Sequence, residues 1–418
     1  QITPRICGIC PVSHHLAAAK AGDIVLGCPP PKPASLLREL MHMGQIIQSH
    51  GMHFFELAGP DLILGFDHDP ATRNVVGLVQ ADPDLTLKAI RLRKFGQSII
   101  AELGERSIHP TFAIPGGVNR PLSAASRDRL LLQIDEQIAT IQTGIKVFKN
   151  WMEANMDVIN RFAVFPTGYL GLVTPTDSLE LYDGEIRLTG RDGHQLEKFS
   201  AQNYLDYIAE HVEPWSYLKF PYYKKLGFPE GAYRVGPLGR LNNVDRIDTP
   251  LAQQHFLEFK QLNGGKPVEN TLHYHYARLI ECLFATERAR VLLETPDILS
   301  TDILNTRQQP RGEGVGIIEA PRGTLIHHYQ ANEYGQLTKV NLIVSTGHNN
   351  FAMSNAVDMV AKEYVHGPDI KEGMLNRVEH AIRAHDPCLS CSTHAIGQMP
   401  IEISIFDANE NLVRTIRQ

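Results

Sequence analysis

The sequence predicts a mainly α-helical protein with small β patches, an α+β fold. Apolar residues recur at helical spacing over long stretches, whereas segments that alternate like strands are short. Two Cys-x-x-Cys pairs lie at opposite ends of the chain, Cys7 with Cys10 and Cys388 with Cys391. If one site uses both pairs, the fold must bring the two ends together, which favours one interleaved unit over two or three separate domains.

The helix predictions rest on apolar periodicity, as in Leu36, Leu37, Leu40 and Met43. A long periodic stretch also begins after Pro121, a position typical of a helix start. The predicted helices cover residues 36–57, 85–103, 123–162, 252–262, 270–293, 352–364 and 372–384.

The strand predictions are shorter. Residues 317–318 and 324–327, a turn near Gly335 and residues 337–344 predict a hairpin. A second β patch is expected over residues 179–188, with a turn at Asp183-Gly184. Near the end of the chain, strands are predicted at 401–406 and 412–414 around a turn at 407–409. Loops rich in Gly and Pro are predicted at 27–33, 116–121 and 227–239.

Composition excludes several classes of protein. The 418 residues are 43% hydrophobic, enough for a large core, and the net charge of −6 includes no polybasic tract that would bind nucleic acid. No apolar run reaches the ~18 residues of a membrane span. Six cysteines are too few for a disulfide scaffold, so a reducing, cytoplasmic location is predicted, with Cys28 and Cys282 as buried packing residues. Because the chain opens with Gln1, we expect it to be processed or incomplete at its front.

The two cysteine pairs predict a metal site. Soft thiolates select zinc, copper(I), iron–sulfur clusters or nickel. A zinc ribbon would place its second pair about 15–20 residues after the first, whereas here almost the whole chain separates the pairs. A thioredoxin-like redox pair would need a βαβ unit beside it, and neither end offers one.

Residues around the pairs add to this prediction. His14 follows Cys10 by four residues and His394 follows Cys391 by three, so each lies within one helical turn of a thiolate pair. Such a histidine can donate to sulfur or bind a second ion. The alternative for each is a buried polar residue with an ordinary hydrogen-bond partner.

A third motif is Glu319-Ala320-Pro321-Arg322-Gly323. Arg322, held between Pro and Gly, presents up to five donors in a planar fork that suits an anionic ligand or charge near a metal. The alternative is a surface ion pair. Thr346 in Val344-Ser345-Thr346 is a weaker candidate hydroxyl donor. Phosphate-loop, His-Glu-x-x-His and Gly-x-Ser-x-Gly motifs do not occur.

Taken together, these motifs resemble the large subunit of nickel–iron hydrogenases. The resemblance rests on three motifs: Arg5-x-Cys7-Gly8-x-Cys10-x-x-x-His14, Glu319-Ala320-Pro321-Arg322-Gly323 and Asp386-Pro387-Cys388-x-x-Cys391-x-x-His394. Residues 53–55 with 60–62, 109–110 with 115–118, and 233–237 resemble the soluble bidirectional branch that reduces NAD.

The resemblance implies a helical bundle with both cysteine pairs at its centre. Residues 1–394 would form the large-subunit domain without the N-terminal segment that the family carries before its first signature. Residues 395–418 would be a C-terminal propeptide, which a maturation protease removes after His394 once nickel is in place.

The resemblance also implies which residues bind the metals and what each residue of the site does. Cys7 and Cys388 would be terminal nickel ligands, and Cys10 and Cys391 would bridge nickel to an iron that carries carbon monoxide and cyanide. The remaining roles would be Arg322 over the open bridging position, Thr346 near a cyanide, His14 beside the cofactor, and His394 on a magnesium or iron ion. Cys388 would accept the first proton from hydrogen, with Arg322 as the contested alternative.

The implied activity is reversible conversion of H2 into two protons and two electrons. Only Cys28 and Cys282 would remain, too few for a cubane cluster, so electrons would pass to a small iron–sulfur subunit and through flavin/NAD diaphorase subunits to NAD(P). Nickel-insertion proteins would assist maturation. The alternatives are a deazaflavin-reducing, polysulfide-reducing or heterodisulfide-linked hydrogenase and, in a different class, a non-catalytic structural protein or a zinc-stapled one.

Overall fold

A computed structural model describes residues 2–216, 218–387, 402–406 and 411–417, and about half of this part of the chain is helical. Its α-helices are α1 Pro11–Leu26, α2 Lys32–Met52, α3 Val75–Ala81, α4 Pro83–Gly104, α5 Ala124–Leu131, α6 Ile134–Ala154, α7 Met156–Arg161, α8 Tyr204–Tyr207, α9 Gly236–Asn243, α10 Pro250–Gln261, α11 His273–Glu294, α12 Ser345–His348, α13 Asn350–Tyr364 and α14 Glu372–His385. Two π-helical segments, His53–Ala58 and Pro60–Leu64, continue from α2.

The core is built around α2. Every residue from Leu40 to Met52 is buried, and α4 and α11 pack against this helix, with α6 behind α11. The buried face of α2 includes polar side chains such as Arg38, His42 and His50. Buried polar groups need partners, so the polar residues of this helix mark a network in the protein interior.

The backbones of α2 and α4 touch where they cross. A Cβ atom placed on Gly96 would lie 2.6 Å from the carbonyl oxygen of Gly44 and 2.6 Å from the backbone nitrogen of Gln48. Only a glycine leaves room for this approach, which sets the distance between the two helices.

The strands of the described residues form five small sheets, one of which lies beside the candidate site. They are β1 Ala113–Ile114, β2 Gly117–Val118, β3 Gly168–Val173, β4 Glu185–Thr189, β5 Gln195–Phe199, β6 Ile208–His211, β7 Phe220–Tyr223, β8 Tyr233–Arg234, β9 Glu313–Ala320, β10 Gly323–Ala331, β11 Leu337–Ile343, β12 Glu402–Phe406 and β13 Leu412–Arg417. The sheet orders are β1-β2, β5-β4-β3-β8, β6-β7, β11-β10-β9 and β12-β13.

The sheet that positions the site is the antiparallel β9–β10–β11. Ala320 pairs with Gly323, so Pro321 and Arg322 form the two-residue tip of the β9–β10 hairpin. One face of this hairpin packs on α1, which follows the first cysteine pair in sequence. The hairpin and α1 therefore hold Arg322 and the first cysteines in one region.

The α+β prediction is confirmed, and the predicted helices at 36–57, 85–103, 252–262, 270–293, 352–364 and 372–384 correspond to α2, α4, α10, α11, α13 and α14. The predicted helix at 123–162 is instead three helices, α5, α6 and α7. Apolar periodicity continues across the breaks, so it does not reveal them.

Other expectations are corrected. The predicted loop at 227–239 contains the start of α9, whose first turn holds Gly236 and Pro237. The helices α1 and α3 and the short helices α8 and α12 also lie where no helix was predicted. Helix α1 is rich in Ala and buried on several sides, so it shows no single apolar stripe. The predicted hairpin is a three-stranded meander, and within the 179–188 patch only β4 is a strand, paired with β3. The tail strands are confirmed as β12 and β13, but the turn at 407–409 lies outside the described residues.

No helix in the described part of the chain is both long and apolar enough to span a membrane.

Replacing Gly96 with Ala should destabilise the fold by about 1–3 kcal/mol, because the added methyl group overpacks the α2–α4 crossing. Urea titration of the purified chain measures this change. Gly347→Ala is the matched control, since a Cβ atom there meets nothing within 4 Å. Equal stability of the Gly96 variant and wild type would contradict the close helix approach.

Candidate metal centre

The first cysteine pair lies in a buried turn between a short 3-10 helix, Thr3–Ile6, and α1. The Sγ atoms of Cys7 and Cys10 are 2.7 Å apart, and the backbone N–H of Cys10 donates to Cys7 Sγ at 3.1 Å. Both residues are at most 5% exposed. The two sulfurs therefore face the same point, and the backbone donor orients the Cys7 sulfur as an outer hydrogen bond orients a metal ligand.

His14 lies one turn into α1 and is buried. Its Nδ1 is 3.1 Å from Nε2 of His327, whose Nδ1 is 2.6 Å from the hydroxyl of Tyr329. Burial lowers the pKa of His14, and the charge of nearby Cys7 offsets part of that effect. His14 is thus tied to β10 and lies close enough to the cysteine pair to interact with it electrostatically.

Arg322 reaches from the hairpin tip to the end of α14. Its Nη2 donates to Oδ1 of Asp386 at 3.0 Å, and both side chains are at most 2% exposed. Burial raises the pKa of Asp386, Arg322 and Arg278 oppose that rise, and the charge of Cys7 adds to it. These interactions bring the first cysteine motif, the arginine motif and the start of the last motif to one place.

A buried ionic network fixes the hairpin from the other side. Arg240 on α9 binds Glu281 through two hydrogen bonds, Nε to Oε1 at 2.7 Å and Nη2 to Oε2 at 2.6 Å. Its Nη1 donates to Glu319 Oε2 at 2.7 Å and to the carbonyl of Ala320 at 3.0 Å. His50 Nε2 lies 3.0 Å from Glu281. Arg240 therefore holds the strand end directly before the hairpin tip.

The protonation states in this network follow from the pairing. Burial would raise the pKa of Glu281, but Arg240 and His50 outweigh it and the net shift is downward. Burial has the larger effect on Glu319 and raises its pKa. Burial also lowers the pKa of His50, to about 4. His50 is thus a neutral hydrogen-bond donor at neutral pH.

Two glycines let the backbone approach the hairpin tip. Gly236 has φ +79°, and a Cβ atom there would lie 2.8 Å from the carbonyl oxygen of Arg322. Gly323 has φ +137°, and its Cβ atom would lie 2.2 Å from Cγ2 of Val235. A side chain at either position would displace Arg322.

Thr346 lies on α12 and is buried. Its neighbour Ser345 donates its hydroxyl to the carbonyl of Gly323 at 2.8 Å, which ties α12 to the hairpin directly after Arg322.

Cys7, Cys10, His14, Arg322 and Thr346 thus lie on elements that pack or bond around the hairpin. Cys388, Cys391 and His394 lie outside the described residues. Within the described ranges no group of three or more His, Cys, Asp or Glu side chains could hold a metal ion, so the first pair alone is not a complete site.

Arg240, Glu281 and Asp386 are not among the site residues predicted from the sequence. Asp386 is part of the last motif and Arg322 part of the arginine motif, so the sequence contained both members of that ion pair. No local pattern marks Arg240 or Glu281, because their partners lie far away in sequence.

Comparison with known proteins identifies the family. The family model described as nickel-dependent hydrogenase matches residues 1–86 and 175–394. The chain belongs to this family. It is the catalytic subunit of a nickel–iron hydrogenase, and its site contains nickel and iron.

Three relatives of this hydrogenase are informative. The NAD-reducing hydrogenase HoxS subunit beta of Cupriavidus necator is 43% identical, over 98% of this chain and 87% of the relative. A subunit of the F420-non-reducing hydrogenase vhu of Methanocaldococcus jannaschii is 46% identical, over 87% of this chain and 86% of the relative. The crystal structure of an NAD+-reducing [NiFe]-hydrogenase in the H2-reduced state superposes with a TM-score of 0.90 at 44% identity, covering 94% of this chain and 87% of that chain.

Replacing Glu281 with Gln should destabilise the subunit by about 3–5 kcal/mol, because it leaves the buried Arg240 charge undercompensated. Urea titration measures the change. The control is Glu136→Gln, whose partner Arg91 is half exposed, so its loss should cost no more than about 1 kcal/mol. A Glu281 variant as stable as the control would contradict the network.

Proposed function

We propose that this subunit converts H2 reversibly into two protons and two electrons and that its electrons pass through a partner iron–sulfur subunit to NAD(P). The observation that carries the proposal is the buried Cys7–Cys10 pair beside the Arg322–Asp386 ion pair, in a chain 43% identical to a subunit of an NAD-reducing hydrogenase.

Cys7 and Cys10 would hold the nickel and iron together with Cys388 and Cys391. Two buried sulfurs facing one point are the soft donors that these metals prefer, so the described half of the ligand set fits the centre. Cys388 follows Asp386 by two residues, and two residues extend at most about 7 Å. The family's pattern assigns Cys7 and Cys388 as terminal nickel ligands and Cys10 and Cys391 as bridges to an iron with carbon monoxide and cyanide.

The metal pair would polarise H2 and take up its electrons. The thiolate of Cys388 would accept the first of the two protons, and the second would be released to water. Arg322 keeps its positive charge because its guanidinium pairs with Asp386, so it would act electrostatically over the open position rather than as a base. Thr346 would donate to a cyanide, and His14 would contribute to cofactor binding.

His394 would bind a magnesium or iron ion near the C-terminus of the mature subunit. Residues 395–418, which include β12 and β13, would be the propeptide removed by a maturation protease after nickel-insertion proteins have acted.

The electron path requires a partner subunit. Cys28 and Cys282 are buried, and burial raises the pKa of both thiols, which disfavours the thiolates that a cluster needs. An iron–sulfur subunit and flavin/NAD diaphorase subunits would therefore carry the electrons, and with NAD(P) as acceptor the complex would operate in the cytoplasm. The runner-up, favoured by the 46% identity to a subunit of an F420-non-reducing hydrogenase, is a complex with a different acceptor such as a heterodisulfide.

The purified complex should reduce NAD(P) under H2, and Cys7→Ser should lower both activity and nickel content by roughly 100-fold or more, since it removes a metal ligand. Absorbance of the reduced nicotinamide and metal analysis give the two readouts. The matched control Cys28→Ser should retain both. Unchanged nickel content in the Cys7 variant would refute the assignment of Cys7 as a metal ligand. If the wild-type complex reduces a dye under H2 but not NAD(P), the complex with a different acceptor is favoured.

Mass spectrometry of the nickel-loaded subunit should find a chain ending at His394. The same subunit produced without nickel should retain residues 395–418, because cleavage would follow metal insertion. Active enzyme with an intact tail would rule out the propeptide.

A further inference from the structure

Arg278 on α11 is a fully buried cation close to the candidate metal centre. Its side chain is 0% exposed, and none of the described carboxylates forms an ion pair with it. A buried charge without such a pair is costly, so its retention requires other compensating interactions.

The guanidinium of Arg278 caps the end of α14. Its Nη2 donates to the carbonyl of Ala384 at 2.9 Å, in the last helical turn before Asp386. Carbonyls in a last turn lack helical partners and form the negative end of the helix dipole. Arg278 therefore fixes the backbone from which the last cysteine motif begins.

A string of imidazoles orients Arg278. Its Nη1 is 3.4 Å from His275 Nδ1, His275 Nε2 is 3.0 Å from His380 Nε2, and His380 Nδ1 is 2.7 Å from Asp61 Oδ2. Burial lowers the pKa of both histidines, so both are neutral at neutral pH. Since Arg278 can only donate and Asp61 accepts, a single arrangement satisfies every link: Arg278 donates to His275, His275 to His380 and His380 to Asp61.

The Asp61 end of the string is fixed. Asp61 also forms an ion pair with Arg73 at 3.1 Å and accepts hydrogen bonds from Asn376 at 3.0 Å and from Arg383. These partners lower the pKa of Asp61 even though burial would raise it. Asp61 is therefore a stable carboxylate acceptor at the end away from the centre.

Asp386 is the carboxylate that the two buried cations Arg322 and Arg278 share. Arg322 and Arg278 both act on its carboxylate, which also lies within electrostatic reach of Cys7. Burial lowers the pKa of Arg278 to about 10, so this side chain still carries its charge at neutral pH. Glu281 also acts on Arg278, but Arg240 holds Glu281 through two hydrogen bonds. Arg322 and Arg278 thus share the Asp386 carboxylate, and their combined charge would complement the negative charge of metal-bound thiolates.

We propose that Arg278 is a second cationic positioning residue of the metal centre, which balances the charge of the cysteine thiolates and is oriented by the His275–His380–Asp61 string. The inference rests on the proposed function, since the thiolates it balances are those proposed to bind nickel and iron.

Infrared spectra of the purified, nickel-loaded complex test this role, because the stretching bands of carbon monoxide and cyanide on iron report local charge. Arg278→Met removes the cation and should move the carbon monoxide band to lower wavenumber, since electron density on the iron rises. The matched control is Arg288→Met on the same helix, whose partner is Glu39, and its bands should equal those of wild type. Equal bands in the Arg278 variant and wild type would overturn the proposal, as would an equal shift in the control.

If Arg278→Met takes up no nickel, the infrared spectrum of His380→Phe tests the proposal instead. Phenylalanine keeps an aromatic ring between Phe66 and Phe162 but cannot form the hydrogen bonds of the His275–His380–Asp61 string. We expect a smaller shift in the same direction, and wild-type bands would overturn the string. Wild-type complex without nickel and without these bands would refute the proposed function instead, so the two failures are distinguishable.

Discussion

The ion pair between Arg322 and Asp386 is the contact on which the candidate centre depends. It joins the tip of the β9–β10 hairpin to the end of α14 at 3.0 Å, in a region closed to solvent. Buried ion pairs add little net stability over a packed apolar pair, yet removing one partner costs about 3–5 kcal/mol. The pair is therefore better explained by the position it imposes than by the stability it contributes. It places Arg322 beside Asp386, the first residue of the last cysteine motif, within electrostatic reach of Cys7.

The surrounding network makes that position rigid. Arg240 holds the strand that leads into the hairpin, and Ser345 holds the strand that leaves it. Backbone contact at Gly236 leaves the tip no room to shift. A charged group in a reactive site is useful only when its supporting residues fix its geometry, and here those residues come from helices and strands rather than loops.

Much of the fold could be predicted from the sequence, whereas the buried polar contacts of Arg240 and Arg278 that support the candidate centre could not. Amphipathic helices such as α14 are recognisable from the helical period of their buried face, whereas α1 is buried on several sides and shows no such period. The spacing of the cysteines selected Cys7 and Cys10 as candidates, and the motif between Glu319 and Gly323 selected Arg322. Glu281 and Glu319 lie 41 and 79 positions from Arg240, and Ala384 lies 106 positions from Arg278, so these pairings depend on the folded topology.

The central claim is that thiolates from both ends of the chain bind one nickel–iron pair. A crystal structure of the matured complex, with anomalous diffraction recorded at the nickel and iron edges, tests it most directly. The account predicts one nickel and one iron peak within bonding distance of Cys7, Cys10, Cys388 and Cys391. Metal peaks on only one of the two cysteine pairs, or the pairs in separate places, would contradict it.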